Sequence, residues 1–244
     1  MSKHVMEVNN GHIILVEQDK RFIIDTGSPL SFSREELTLT VGGEEFKLGP
    51  QSDRPIMSCL QNNALSQLVG SLITSSLKKF DFSQLVDGQI DGLLGLDILK
   101  DKSWEFDFAS NRILVNEESD RVYDNALALR NSLGLFFKVK VNGNACQGLL
   151  DTGAFVSYAS AKLVEGIPSC GTLKDYNPQL GEINTTKHKV NIQLCGQNFD
   201  NEVGKMPGLM NLLMTTVGLD FLMGITPLGL SACRLDLKKY RLEF

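Results

Sequence analysis

A mainly β fold of two repeated lobes is what this sequence predicts, and three observations carry the prediction. The stretch Phe22-Ile23-Ile24-Asp25-Thr26-Gly27-Ser28 is answered by Gly148-Leu149-Leu150-Asp151-Thr152-Gly153-Ala154, so a pair of apolar residues feeds each Asp-Thr-Gly. The repetition runs on. At the same offset of 126 residues Leu30-Ser31-Phe32 aligns with Val156-Ser157-Tyr158. At 129 residues Asp91-Gly92-Leu93-Leu94-Gly95-Leu96 finds Asp220-Phe221-Leu222-Met223-Gly224-Ile225, and Phe106-Asp107-Phe108 finds Leu235-Asp236-Leu237. Two homologous lobes in one chain are the economical explanation. Third, the segments between these motifs read mostly as short strands joined by tight turns.

Each Asp-Thr-Gly has a local physical reading. Ile23-Ile24 and Leu149-Leu150 are short apolar runs of the kind that end buried strands, and Gly27 and Gly153 let the backbone turn sharply beyond them. Asp25 and Asp151 are therefore expected at strand mouths, on rigid scaffold. Thr26 and Thr152 carry hydroxyls able to bond nearby backbone. One such tripeptide is ordinary turn chemistry. Two in matching contexts point to a fold that brings Asp25 and Asp151 together.

Taken in order, residues 12–16 and 21–24 form a hairpin around the polar turn Glu17-Gln18-Asp19-Lys20, and a second hairpin spans 37–48 around Gly42-Gly43. The period then changes. Leu65, Leu68, Val69, Leu72 and Ile73 fall on one helical face, with Asn62 or Asn63 as a cap and Lys78-Lys79 at the end, which predicts a helical insertion at about 62–80. It has no counterpart in the second lobe, where Phe199 reaches Gly224 in 25 positions against 49 from Phe46 to Gly95. A polar junction at 119–132 separates a first lobe, 1–118, from a second, 133–244. Residues 135–150 repeat the opening hairpin around Asn142-Gly143, the strongest short hairpin signal. The apolar region from Leu209 to Ile225 is interrupted by Asn211, Gly218, Asp220 and Gly224. It reads as strands rather than a membrane span.

The apolar-apolar-Asp-Thr-Gly-Ser/Ala pattern, followed some seventy residues on by apolar-apolar-Gly, resembles the aspartic proteases of the pepsin and retropepsin clan. Asp91-Gly92-Leu93-Leu94-Gly95-Leu96-Asp97-Ile98-Leu99 and then Phe106-Asp107-Phe108 is more similar to compact bacterial retropepsin-like proteins than to pepsins. The resemblance covers most of the chain. It implies a bilobal acid protease fold, a single-chain fusion of two retropepsin-like protomers whose lobes are related by a pseudo-twofold with the active site between them. It further implies a catalytic Asp25/Asp151 dyad, supported by Thr26, Gly27, Ser28, Thr152, Gly153 and Ala154. Thr26 and Thr152 would lock the lobes by reciprocal bonds beneath the aspartates. Asp97-Ile98-Leu99-Lys100 would be a short helix, and Ala154 in the Ser position goes with activity at less acidic pH.

The same resemblance places a substrate-covering flap in the insertion at about 160–190, where the second lobe has 27 residues more than the first. Tyr176, Asn177, Pro178, Gln179, Leu180 and Gly181 supply turn chemistry there, and residues 182–190 a returning strand. This departs from pepsins, whose one flap comes from the first lobe, and from retropepsins, in which both protomers supply one. The first lobe here reads as nearly flapless. Pro227 is a second departure, falling where a helix start is expected.

Two carboxyls at one site cannot both ionise cheaply, so they share a proton and titrate as a unit. The ionised member can then take a proton from water while the neutral one donates to a carbonyl. Ser28 is expected to donate its hydroxyl to Asp25, a bond Ala154 cannot offer Asp151, which would leave Asp25 the more acidic of the two.

Other chemistries find little support. His4, His12 and His188 show no metal-ligand spacing and read as surface or turn residues, so no metal and no cofactor is expected. No phosphate-loop layout occurs. Five cysteines, odd in number and without a close pair, favour free thiols in a reducing compartment, and residues 1–10 lack a signal-peptide core, so a cytoplasmic protein is expected. A net charge of −5 and the absence of a basic stripe argue against nucleic acid. The expected partner is a peptide or protein substrate, with no membrane span and a monomeric state. The leading reading is an aspartic endopeptidase preferring apolar side chains beside the cut. Beside it stand a catalytically weak relative that binds an extended peptide, and an assembly module that uses the helix at about 62–80.

Overall fold

The first half begins with a meander of β1 (Ser2–Asn9), β2 (His12–Glu17) and β3 (Lys20–Ile24). The structure, a computed structural model, describes residues 2–50, 86–117, 119–132, 134–177 and 181–244. The helix expected at about 62–80 lies outside the described residues, as do Pro178, Gln179 and Leu180. Positive φ at Asn10, Gly11, Gln18 and Asp19 closes the two turns of the meander. After β3 come β4 (Phe32–Ser33) and the separate hairpin of β5 (Leu37–Val41) and β6 (Glu44–Leu48). Beyond the undescribed stretch follow β7 (Gly92–Leu94), the one-turn helix α1 (Leu96–Leu99), β8 (Ser103–Asp107) and β9 (Arg112–Val115).

The second half repeats this plan from residue 126. It contains β10 (Ala126–Ala128), β11 (Arg130–Asn131), β12 (Leu135–Val141), β13 (Asn144–Leu150) and β14 (Tyr158–Ala159). The long hairpin of β15 (Ser169–Asn177) and β16 (Gly181–Leu194) comes next, then β17 (Gln197–Lys205), α2 (Gly208–Thr216), β18 (Phe221–Met223), β19 (Ala232–Asp236) and β20 (Arg241–Glu243). In β12 the alternation is visible in burial, with Lys138 and Lys140 exposed between buried Phe137, Val139 and Val141. The apolar region expected as strands folds in part as α2. Pro207 opens that helix, Gly218 at positive φ follows its end, and Met210 is buried while Leu209 and Leu212 are exposed. Of the residues that interrupt the apolar run, Gly218 follows the helix end, Asn211 lies inside the helix, and Asp220 and Gly224 flank β18.

Both halves cross their Asp-Thr-Gly strand with a parallel partner. β3 pairs with β7, Ile24 opposite Leu94, and β13 pairs with β18, Leu150 opposite Met223. Gly95 and Gly224, just past those partners, lie where the turns after each aspartate pass over them. A methyl group at Gly95 would come 2.6 Å from the Leu30 carbonyl oxygen, and one at Gly224 would collide with that of Ala154. The apolar-apolar-Gly motif is therefore a packing requirement of the aspartate turn.

The halves are joined through one ten-stranded sheet. Strands run in the order β10-β20-β19-β8-β9-β1-β2-β3-β7-β4, so the last two strands of the second half complete the sheet of the first. The junction is itself used: Ala126–Ala128 pairs with β20 and Arg130–Asn131 with β12. Arg234 stands opposite Glu105 on one side and Glu243 on the other, bonded to both at 2.8 and 3.2 Å. Trp104, Phe22, Phe106 and Phe221 are fully buried in one core that spans both halves. Two smaller clusters sit one on each lobe: Ile14, Ile23, Phe32, Val86, Ile90 and Leu93 in the first, and Val156, Tyr158, Leu173, Ile183, Met206, Met210 and Leu222 in the second. This is a two-lobed, mainly β architecture with a pseudo-twofold between its halves.

At the centre of that pseudo-twofold, Thr26 and Thr152 are bound to each other. The Thr26 amide donates to Thr152 Oγ1 at 3.0 Å and the Thr152 amide to Thr26 Oγ1 at 3.0 Å. Each hydroxyl then donates across the interface, Thr26 to the Leu150 carbonyl at 2.9 Å and Thr152 to that of Ile24 at 2.8 Å. Both side chains are buried, so a lost hydroxyl leaves a buried amide and a buried carbonyl unpaired. A Thr26→Val variant is expected to lose roughly 2–4 kcal/mol in urea unfolding, and Thr26→Ser, which keeps the hydroxyl, less than half of that. Equal losses in the two variants would show that packing of the methyl, not the hydroxyl, is what counts.

Candidate active site

The interlocked threonines hold the residue before each of them, Asp25 and Asp151, against one another. The Asp25 amide donates to the Leu94 carbonyl and the Asp151 amide to that of Met223, both at 2.9 Å, so each aspartate is anchored to the strand beside it. Asp25 Oδ1 accepts the Gly27 amide at 2.8 Å and the Ser28 amide at 3.1 Å; Asp151 Oδ1 accepts the Gly153 amide at 2.9 Å. The two carboxyls share a hydrogen bond. Gly27 and Gly153 permit this approach. A methyl group on Gly27 would lie 2.7 Å from Asp151 Cγ, and one on Gly153 2.5 Å from Asp25 Cγ.

Burial pushes both carboxyls above the usual carboxylate range, Asp151 the further because the Asp25 charge lies against it. One proton held between the two is the arrangement that relieves both costs. Ser28 does not act as expected. Its hydroxyl donates to the Leu30 carbonyl at 2.8 Å, within its own turn, and only its backbone amide reaches Asp25. The neighbouring Ala154 offers an amide in the same way, so the Ser/Ala difference does not distinguish the two carboxyls.

The chain is similar to solved aspartic proteases. An aspartic proteinase from Irpex lacteus matches over 99% of this chain and 96% of its own, at 11% identity and a TM-score of 0.48. The Simian Foamy Virus (mac) protease matches 38% of this chain and 89% of its own at 14% identity and a TM-score of 0.29. The foamy viral protease-reverse transcriptase, in complex with an RNA/DNA hybrid, matches the same share of this chain at 13% identity and a TM-score of 0.31, but the matched part is 11% of that chain's length. No protein-family model and no curated protein sequence matches the chain.

Above the two carboxyls lies a cavity of about 90 Å³. Ile23 and Leu93 contribute to it from the first lobe, and Phe155, Ile183, Met210 and Leu222 from the second. Tyr176 also lines it, near the tip of the β15–β16 hairpin, which turns through the undescribed residues 178–180 with Asn177 opposite Gly181. Of the flap residues expected from sequence, Tyr176 is thus placed beside the dyad, and Asn177 and Gly181 at the hairpin end. Among the described residues of the first lobe, only three residues connect β4 to β5.

Sequence reasoning missed three polar side chains at this cavity. Tyr158, seven residues past Asp151 where the first lobe has Phe32, donates its phenol to Asp175 Oδ2 in a short hydrogen bond, tying the hairpin to the lobe below it. Burial raises the pKa of both, the phenol's further through the Asp175 charge. The third is His12. All three histidines, expected at surfaces or turns, are buried: His4 bonds Glu17 at 2.6 Å, and His188 bonds the Ile167 carbonyl and Thr186 Oγ1, each at 2.9 Å. Each lies in a strand, where His4 and His188 meet these partners and His12 lines the cavity. No group of three metal-ligating side chains occurs among the described residues, and no helix there is long and apolar enough to cross a membrane.

Two outcomes follow. A carboxyl whose pKa is raised by folding binds its proton more tightly in the native state, so stability is highest in acid and falls as pH rises from about 4, the unfolded value, through the folded-state values. Urea midpoints measured from pH 4 to 7 should show that decline, and Asp151→Asn should flatten much of it. Tyr158→Phe, which releases the hairpin, is expected to speed amide hydrogen exchange along β15 and β16 about 3–10-fold; unchanged exchange would show that the phenol does not hold the hairpin.

Proposed function

We propose that this protein is an aspartic endopeptidase that hydrolyses peptide bonds with Asp25 and Asp151 as a general acid/base pair. The observation that carries the reading is the dyad itself: two carboxyls from separate lobes, hydrogen-bonded to each other, each pinned by backbone amides and raised by burial. Such a pair holds one proton across a broad acidic range. The ionised carboxylate takes a proton from an attacking water while the protonated partner donates to the scissile carbonyl oxygen. The tetrahedral intermediate collapses as the amine leaves with a proton, and the pair returns to its starting state. Water is the nucleophile, so no bond forms between enzyme and peptide.

The cavity lining supports a substrate preference. Ile23 and Leu93 on one lobe face Leu222, Ile183 and Met210 on the other, which favours apolar side chains on either side of the cut. Tyr176, carried on the β15–β16 hairpin, covers the substrate from the second lobe, and its tie through Asp175 and Tyr158 positions that cover.

The test is cleavage of a mixed peptide pool followed by mass spectrometry across roughly pH 3 to 7. Activity is expected to trace a bell, rising as the first proton leaves the pair and falling as the second does. Asp25→Asn and Asp151→Asn should each lower it by at least about 100-fold. A correctly folded protein that cleaves nothing across that range would sink the proposal and leave a peptide-binding cleft in its place.

A further inference from the structure

The turn between β1 and β2 belongs to the first lobe but packs on the turn that follows Asp151 in the second. A methyl group on Gly11 would lie 2.8 Å from Phe155 Cβ, the Gly11 carbonyl accepts the Thr226 hydroxyl at 2.6 Å, and the His12 ring is tilted 53° against that of Phe155 at 5.7 Å. His12 is 2% exposed, and the Gly153 backbone is the one polar group its ring meets among the described residues. That contact favours a protonated nitrogen, so the group facing the ring is the Gly153 carbonyl and the ring N–H is the donor.

The Gly153 carbonyl and the Ala154 amide belong to one peptide unit, and the Ala154 amide is one of the two that hold the Asp151 carboxyl. A line of donors therefore crosses from one lobe to the other, from the imidazole through the 153–154 peptide to Asp151. Hydrogen bonds in series polarise one another, so a donor on the carbonyl strengthens the bond made by the amide at the other end. A stronger bond to the ionised carboxyl lowers its proton affinity. The first lobe has nothing equivalent at that position. Ile14 stands opposite Ile23 and Phe136 opposite Leu149, and Ile23 and Leu149 each lie two residues before their aspartate. Counting back two residues makes Gly134 the counterpart of His12, so no side chain from there supports the Ser28 amide that bonds Asp25 at 3.1 Å.

We propose that His12 is a positioning residue that acts through the 153–154 peptide to lower the proton affinity of Asp151, an inference that deepens the general acid/base reading above. Burial and the Asp25 charge both push Asp151 upward, the further of the two carboxyls. The imidazole opposes them and brings the pair closer to equal affinity, which lets one proton pass between the carboxyls as they exchange the roles of acid and base. It does so as a dipole rather than as a charge: burial holds the ring down at about 4, so it is neutral while the pair loses its second proton. The other titratable groups lining the cavity are Asp175 and Tyr158, bonded to each other, and Tyr176. A substitution at His12 leaves all three in place.

The experiment is a carboxyl carbon-13 NMR titration of aspartate-labelled protein over roughly pH 3 to 9, with Asp25→Asn and Asp151→Asn assigning the resonances of the pair. His12→Phe keeps a ring against Phe155 and removes the donor; His12→Gln keeps an N–H. The upper ionisation of the pair is expected to rise by about 0.3 pH unit in His12→Phe and by less than half as much in His12→Gln. His12→Leu puts the same question if the phenylalanine variant does not fold. An upper ionisation that stays put or falls when the donor is removed would overturn the proposal, and so would equal shifts with and without a donor, because a residue that only packs changes the melting temperature and not the titration. The alkaline limb of peptide cleavage should move with the upper ionisation. If the unmodified protein cleaves nothing, the endopeptidase reading fails by itself, while the titration still decides the role of His12.

Discussion

Everything in this molecule answers to one constraint: two carboxyls that lie 126 residues apart in sequence, and repel one another once both ionise, must be held edge to edge in a buried site. A flexible pair would move apart on ionisation and dissipate the strain as motion. Here it cannot, because the residue following each aspartate is tied across the interface by four buried hydrogen bonds, two to its opposite number and two to the Leu150 and Ile24 carbonyls. The parallel strands β7 and β18 fix the aspartates along the chain, and Gly95 and Gly224 let the turns close over those strands. Electrostatic cost is thus converted into a shared proton.

What could be read from sequence is what the constraint writes twice. The paired Asp-Thr-Gly turns and the two distant Gly positions each have a short-range steric cause, so each leaves the same mark in both halves. The hairpins likewise come from local alternation and turn residues. The helix α2 was hidden for a different reason: it is one-sided, with Met210 buried but Leu209 and Leu212 exposed, and its apolar run merges with β18. The Ser28 hydroxyl was misassigned because residue type alone does not say which of two nearby acceptors a hydroxyl will take, and the Leu30 carbonyl in its own turn is the nearer choice. His12 could have been suspected, since it shares a strand face with Ile14, which packs in an apolar cluster. A polar ring at such a position needs either a bonding partner or a cavity, and sequence shows neither.

The departures from symmetry are concentrated around the cavity. At one pair of equivalent positions Phe32 lies in an apolar cluster, whereas Tyr158 adds a hydroxyl that binds the long hairpin. Two residues past Gly95, Asp97 Oδ1 accepts the Ser31 amide and hydroxyl within its own lobe; two residues past Gly224, Thr226 reaches across to Gly11. The pieces that hold the dyad are kept in duplicate, while the side chains at these neighbouring positions differ.

The sheet that the two halves share carries its own implication. Because β19 and β20 leave the second half to finish the sheet of the first, and Arg234 sits between carboxylates from both halves, neither lobe has a complete hydrogen-bonded edge or a neutral interior without the other. Pulling one lobe open exposes β8 as a bare edge and strands Glu105 without its cation. The two parts therefore stabilise one another, each supplying the other with a sheet edge and a counter-charge. The dyad, lying between the lobes, is formed only when both are folded.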